Sequence, residues 1–348
     1  MSEAPVSTQG TNAIGLTRAD YRGAPTTLCQ GCGHNAISSQ IVAAMYELNV
    51  IPEKVVKLSG IGCSSKSPAY FLNRSFSFNG VHGRMPSLAL GALFSDTSLH
   101  GLGVSGDGDT ASIGMGQFKH LIRRNLPMVY IVENNGVYGL TKGQFSATAE
   151  KGLTLKHEGT NIFMPVDICL EALASNATFV ARSFAGDPKQ VKELLKAAIS
   201  HRGIAILDLI SPCVTFNNKD DTIHSYVFGK EHEVRLHDLI FTPARDMLTV
   251  EDFEEGTARD VELYDGSVIT LRKLDADYNP RDRQSAFRVL EEARERRELL
   301  TGLIYVDTES PSMFDQYHLP EKPLNRLIPD EIRPKEDALA KVNASLFH

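Results

Sequence analysis

Four short apolar runs, each ending in a polar turn rich in glycine, asparagine or cysteine, set the rhythm of this chain. Val55 to Leu58 leads into Ser59-Gly60-Ile61-Gly62-Cys63-Ser64-Ser65-Lys66, and Leu102 to Val104 ends in Gly106-Asp107-Gly108. Met128 to Val132 ends in Asn134-Asn135, and Ile204 to Ile210, apolar except for Asp208, ends in Ser211-Pro212-Cys213. Runs of this length bounded by turn residues read as buried strands. Between them the apolar spacing turns helical: Ile37, Ile41, Val42, Met45 and Leu48 share one face of 35–48, and helices are also expected at 87–94, 165–174 and 188–200. Thr178 to Ser183 adds a strand between the last two. The fold class is α/β, with a mostly parallel sheet flanked by helices. In such a sheet the carboxyl ends of parallel strands share one edge, where ligands bind. The polar turns should therefore meet in space.

Outside this pattern the chain is harder to read. Residues 1–25 are polar with scattered Gly and Pro and read as an arm. The last third, 226–348, is a C-terminal extension packing on the core or on a partner. In it, Val261 to Leu271 looks like a hairpin turning at Asp265-Gly266, Gln284 to Leu300 like a charged helix, and Leu303 to Val306 like a strand. Pro-rich stretches from Ser310 to Pro334 suggest a tail draped over a surface. The domain proper is then 26–225.

A hydrophobic content of 42% with 23% charged residues is ordinary for a soluble globular protein. With 36 basic against 43 acidic residues and no long basic run, nucleic acid and anionic membranes are poor partners. No apolar run reaches membrane-spanning length, and the N-terminus has no basic segment followed by an apolar one, so a cytoplasmic location is expected. Five cysteines, an odd number, argue against a disulfide framework and leave metal, redox chemistry or burial.

Those residues carry the candidate chemistry. Cys29 and Cys32 lie three apart in a glycine-rich turn before a helix, while Cys63 and Cys213 lie in turns after strands. Such positions let thiolates converge, whereas Cys169 sits inside an apolar helical pattern and reads as core. Four thiolates suit Zn2+ or a 4Fe-4S cluster; zinc more often takes two local Cys-x-x-Cys pairs, and here one pair is joined by two distant single cysteines. Asp107 and Asn135, with a nearby backbone carbonyl, are hard oxygen ligands of the kind Mg2+ takes. His82 and Arg84, at a helix start, could contact a diphosphate or a reaction intermediate. His82 and Lys142 are the candidate catalytic residues.

The order strand, GDG, 25 intervening residues, NN resembles the motif of thiamine diphosphate enzymes. The segments CQGCGH, GIGCSSK, HGRMP, GDGD, ENNGVYGLTKGQ and SPC together resemble the β subunit of the 2-oxoacid:ferredoxin oxidoreductases, over roughly residues 26–225. That resemblance implies a thiamine diphosphate-binding domain in which Asp107, Asn135 and the Val137 carbonyl hold Mg2+. Ile61, Gly62, Cys63, Ser64, Lys66, His82, Gly108, Asp109, Gly139 and Leu140 would line the cofactor, and Cys29, Cys32, Cys63 and Cys213 would hold one 4Fe-4S cluster. Gln30 stands where many relatives have Pro, which removes no ligand. The resemblance further implies oxidative decarboxylation of a 2-oxoacid with coenzyme A, and electron exit through the cluster to ferredoxin. An α subunit would supply the pyrimidine-binding domain and its activating glutamate, in an (αβ)2 assembly. GLTKGQ is closer to the 2-oxoglutarate members than to the pyruvate members, and Lys142 could pair with the distal carboxylate that pyruvate lacks. The alternatives are another 2-oxoacid, a thiamine-dependent decarboxylase without electron transfer, or a zinc-stabilised scaffold.

Overall fold

A computed structural model describes residues 10–244, 258–272 and 278–347. Eight strands form one sheet: β1 (Val55–Ser59), β2 (Phe76–Asn79), β3 (His100–Gly106), β4 (Met128–Asn134), β5 (Phe179–Phe184), β6 (Ile204–Ile210), β7 (Glu233–Arg235) and β8 (Leu299–Val306). Their spatial order is β7-β8-β5-β6-β4-β3-β1-β2. From β5 to β2 all neighbours are parallel. Only β8 runs antiparallel to its neighbour β5, and β7 pairs parallel with β8.

Helices cover both faces, which is why β4 and β6 are apolar almost throughout and buried at every position. Val55, Val104, Ile131 and Leu207 point to a layer formed by α1 (Gly33–Glu47) and α5 (Pro188–Ser200). Their neighbours Val56, Tyr130, Val132 and Ile206 point to the opposite layer, formed by α2 (Met85–Ser95), α3 (Met115–Ile122) and α4 (Ile168–Ala174). A short helix, α6 (Tyr226–His232), leads into β7. The charged α7 (Arg283–Arg296) joins the second layer through Ala286, Leu290 and Ala293.

Two charges inside the sheet have partners. The Asp208 carboxylate accepts from Arg182 Nε at 2.8 Å and from Asn134 Nδ2 at 2.9 Å. Lys57, in the middle of β1, donates from Nζ to the carbonyls of Pro68, Phe71 and Leu72 at 2.7, 2.8 and 2.9 Å. Burial pushes its ammonium down to about 8, so it stays mostly charged at neutral pH, and its three protons match the three acceptors.

The expected hairpin is present as Ala258–Glu262 and Val268–Arg272, with Gly266 at φ 77°, and Asp238–Thr242 adds a third strand. Its apolar side shares a core with α5. Other expectations need correction. The helix expected to reach Leu300 ends at Arg296: Arg297 takes the left-handed conformation at φ 55°, and β8 begins at Leu299 rather than Leu303. The charged run from Glu295 to Glu298 gives the helix no apolar face to bury there. The helix expected from Pro165 starts at Ile168, where the Asp167 side chain accepts the Leu170 N–H. The arm reaches the core through Tyr21, whose hydroxyl donates to Val50 O at 2.8 Å; residues 1–9 of that arm lie outside the described ones. Helices Pro329–Ile332 and Glu336–Leu346 occupy the tail. Among the described residues no helix is long and apolar enough to cross a membrane.

Candidate functional site

Four adjacent parallel strands, β1, β3, β4 and β6, end on one edge of the sheet, and each is followed by one of the polar turns. The chain leaves β1 outward to β2 and then returns to the other side of β1 as β3, so the reversal in strand order lies between β1 and β3. Open α/β sheets bind ligands at such a point. Gly60 and Asp109 meet there: a side chain at Gly60 would run into the Asp109 carboxylate.

Asp107 and the Asn135 segment do come together. Asp107 accepts from the backbone N–H groups of Asn135 at 3.4 Å and Gly136 at 3.1 Å, from Thr148 Oγ1 at 2.6 Å, and from Ser146 Oγ. Among the described residues no lysine or arginine pairs with it. Burial accordingly pushes its carboxyl up, a cost that a divalent cation beside it would remove. Asn135 Oδ1 is turned to the Val137 N–H at 3.0 Å, and Gly136, at φ 73°, makes the turn possible. A buried carboxylate with no cationic side chain beside it, close to an amide oxygen and a turn carbonyl, fits Mg2+.

Asp109 is placed otherwise than as a free ligand. Its carboxylate accepts from Gly83 N–H at 2.7 Å and Ser105 Oγ at 2.8 Å, and so ties the GDGD turn to the loop carrying His82. The ring of Tyr138 lies where a side chain on Gly108 would be, and its hydroxyl donates to Gly108 O at 3.0 Å. His82 and Arg84 are exposed in the loop after β2. Lys142 is exposed too, at φ 80°, with its N–H bonded to Gly139 O at 3.2 Å. No hydrogen bond joins His82 to Lys142 among the described residues.

All four candidate cysteines line one cavity of about 180 Å3, whose wall also includes Lys66, Asn135, Gly139 and Leu140. None is in a disulfide. A Cβ on Gly139 would stand 3.5 Å from Cys213 Sγ and 3.7 Å from Cys63 Sγ, so this glycine lies against both thiols. Thr215 Oγ1 donates to Cys29 Sγ at 3.6 Å. Burial pushes the Cys32 thiol up to about 12 and the Cys63 thiol upward as well. Among the described residues no three His, Cys, Asp or Glu side chains gather as they would on a single ion; the thiols surround a space instead. A shell of thiols around a cavity fits a cluster of several metal ions. Cys169 is fully buried in the core, as its pattern indicated.

In the turn after β1, Ile61, Gly62 and Cys63 are half-buried, Ser64 is buried, and Lys66 is half-buried at the cavity wall. Sequence reasoning passed over Ser146, Thr148, Tyr138, Lys57 and Glu133. The two hydroxyls at 146 and 148, spaced by one residue just after ENNGVYGLTKGQ, were the available signal for the first pair.

Residues 60–209 match the family described as thiamine pyrophosphate enzyme, C-terminal TPP binding domain, in agreement with the class of the fold. The 2-oxoglutarate synthase subunit KorB of Methanocaldococcus jannaschii is 35% identical over 219 residues, 61% of this chain and 80% of that protein. The chain belongs to the family of 2-oxoacid:ferredoxin oxidoreductase β subunits. The 2-oxoacid:ferredoxin oxidoreductase subunit beta of Saccharolobus solfataricus is 42% identical over 191 residues, 55% of this chain, and the match spans only 63% of that relative's length. A solved structure, the 2-oxoglutarate:ferredoxin oxidoreductase from Magnetococcus marinus with 2-oxoglutarate, coenzyme A and succinyl-CoA bound, superposes with a TM-score of 0.74 at 27% identity. It covers 97% of this chain and 99% of the compared one, so the likeness extends into the C-terminal third.

Proposed function

We propose that the chain is the β subunit of a 2-oxoglutarate:ferredoxin oxidoreductase, converting 2-oxoglutarate, coenzyme A and two oxidised ferredoxins reversibly to succinyl-CoA, CO2 and two reduced ferredoxins. The observation that carries this reading is the cavity in which Cys29, Cys32, Cys63 and Cys213 share a wall with Asn135, Gly139 and Lys66. A reaction that removes electrons from a thiamine site requires a redox group close to it, and a thiol shell beside the Asn134-Asn135 turn supports one. When bound, thiamine diphosphate with Mg2+ supplies the carbon nucleophile and electron sink for decarboxylation, and a 4Fe-4S cluster supplies the exit for single electrons.

The protein's own groups bind and orient. Asp107, Asn135 and the Val137 carbonyl hold Mg2+, and Ile61 to Ser64, Lys66, His82, Gly108, Asp109, Gly139 and Leu140 line the cofactor. Asp109 does so by fixing the Gly83 turn beside His82. The Gly139 carbonyl anchors the turn that projects Lys142 into solvent, where its ammonium pairs with the distal carboxylate of 2-oxoglutarate. Residues 26–225 carry these sites, 1–25 form an arm, and 226–348 pack on the core or a partner. An α subunit completes the site with the pyrimidine-binding half and its glutamate, in a cytoplasmic (αβ)2 enzyme that docks ferredoxin.

The test is anoxic viologen reduction by the chain co-purified with its α subunit, with 2-oxoglutarate or pyruvate, each with and without coenzyme A. Coenzyme A-dependent reduction by 2-oxoglutarate alone is expected. Reduction by pyruvate instead overturns the substrate, and no reduction by an iron-loaded complex with either acid overturns the reaction.

A further inference from the structure

The four cysteines come from three separate segments of the chain, and the Asn135 turn comes from a fourth. One buried carboxyl group connects all four. Glu133, in β4 two residues before Asn135, is fully buried. Its Oε2 accepts from Ser67 Oγ at 2.9 Å, and Ser67 lies in the turn that starts just after Cys63. The same Oε2 is 3.5 Å from Nδ1 of His34, in the first turn of α1 and two residues after Cys32. His34 Nδ1 in turn is 2.6 Å from Ser211 Oγ, two residues before Cys213. Backbone bonds repeat the pattern: Gly33 N–H donates to Pro212 O at 3.2 Å and Ser211 N–H to Asn134 O at 2.7 Å.

We propose that Glu133, Ser67, His34 and Ser211 are positioning residues, a buried hub that sets the spacing of the cysteine shell and of the metal turn together. The inference rests on the cluster and thiamine reading given above. Nothing in the strand itself asks for a carboxyl at 133, since a buried parallel strand is filled well by Val or Ile. Glu133 moreover has its second oxygen, Oε1, without a hydrogen-bond partner, a cost that a purely structural core position would avoid. None of the four side chains needs to touch substrate or cofactor. Each stands two to four residues from a proposed ligand on its own segment, so a shift of the hub moves ligands on both sites at once.

The experiment uses the anoxically purified complex with the α subunit, comparing wild type with Glu133→Leu, Glu133→Gln and Ser67→Ala. Three quantities are read: iron per chain, the cluster midpoint potential by EPR-monitored redox titration, and the dissociation constant of thiamine diphosphate with Mg2+. Glu133→Leu should weaken iron retention and thiamine binding in parallel, each by roughly 10–100-fold, the range seen when groups that orient metal ligands are removed. Glu133→Gln, which keeps the shape and an accepting oxygen for Ser67, should recover most of both. Ser67→Ala removes one hydroxyl only and should fold; a shifted midpoint potential together with weaker thiamine binding supports the hub. Wild-type iron, potential and thiamine affinity in both Glu133→Leu and Ser67→Ala, whatever their melting temperatures, would overturn it. A wild-type complex that binds thiamine but never iron would instead sink the cluster reading, and the hub with it.

Discussion

Within the parallel strands and the turns that follow them the protein buries Lys57, Asp107, Asp109 and Glu133 almost completely, while near its C-terminus it leaves Ile328, Ile332, Leu339, Leu346 and Phe347 largely open, Phe347 at 87%. The two regions depart from ordinary burial in opposite directions, and for different reasons. Burying ionisable groups is costly unless each is hydrogen-bonded, and here the bonds converge on the turns that carry the site. Leaving so many large apolar side chains in water is the mark of a surface used for association. The first region bonds inward toward the candidate site, and the second leaves apolar side chains exposed, which supports the proposal that it packs on a partner.

Substitutions separate the two. Cys63→Ser should abolish cluster binding and viologen reduction while far-UV circular dichroism stays unchanged; a C63S enzyme retaining full iron would break the link between the buried edge and redox chemistry. Next in size is Lys57→Met, which takes the ammonium donor from the carbonyls of Pro68 and Phe71, and from that of Leu72, which keeps the Ser75 N–H at 3.0 Å; stability should fall by about 2 kcal/mol or more, since one unpaired buried acceptor alone costs about 1–3 kcal/mol. Denaturant unfolding measures it, and a change below about 0.5 kcal/mol, the scale of an ordinary surface substitution, would show that Lys57 is dispensable. On the proposed pairing with the distal carboxylate, Lys142→Ala would remove one charge-assisted contact worth about 1.5–3 kcal/mol, so the Michaelis constant for 2-oxoglutarate should rise about 10–100-fold with kcat little changed. An unchanged constant would return Lys142 to the solvated surface. Smallest is removal of residues 328–348, which should leave iron and thiamine binding intact and weaken association with the α subunit by about tenfold, near 1.4 kcal/mol, as sedimentation would report. Equal association would mean that the exposed apolar tail serves something else.

Much of the buried edge was legible in the residues themselves. The alternation of apolar runs and polar turns marks β1, β3, β4 and β6 with their order along the chain; the turns after them bring Asp107 to Asn135, and bring Cys63 and Cys213 to the cavity that Cys29 and Cys32 enter from the turn before α1. What the pattern could not show was how the charges inside the strands are satisfied. Lys57 and Glu133 look like interruptions of apolar runs, and only the fold reveals that the carbonyls of Pro68, Phe71 and Leu72, or Ser67 and His34, lie beside them. Asp109 illustrates a different blind spot, because a motif names a residue without saying whether its side chain faces a ligand or a neighbouring loop. In the last third the hairpin was visible from Asp265-Gly266, but the end of α7 was not: Arg297 closes it in a conformation for which its side chain gives no warning.

The antiparallel strand β8 has a consequence for how the molecule is made. It pairs with β5, so the β5 edge gains its partner only after the chain has been synthesised to Val306. Until then a buried-type strand displays a row of free N–H and C=O groups, a template on which another chain can add. The ligand-bearing edge, by contrast, is complete in sequence by Cys213. A protein cut after Ser225 would therefore hold every proposed ligand and yet leave the β5 edge unpaired, so the long C-terminal third is what closes that edge of the sheet.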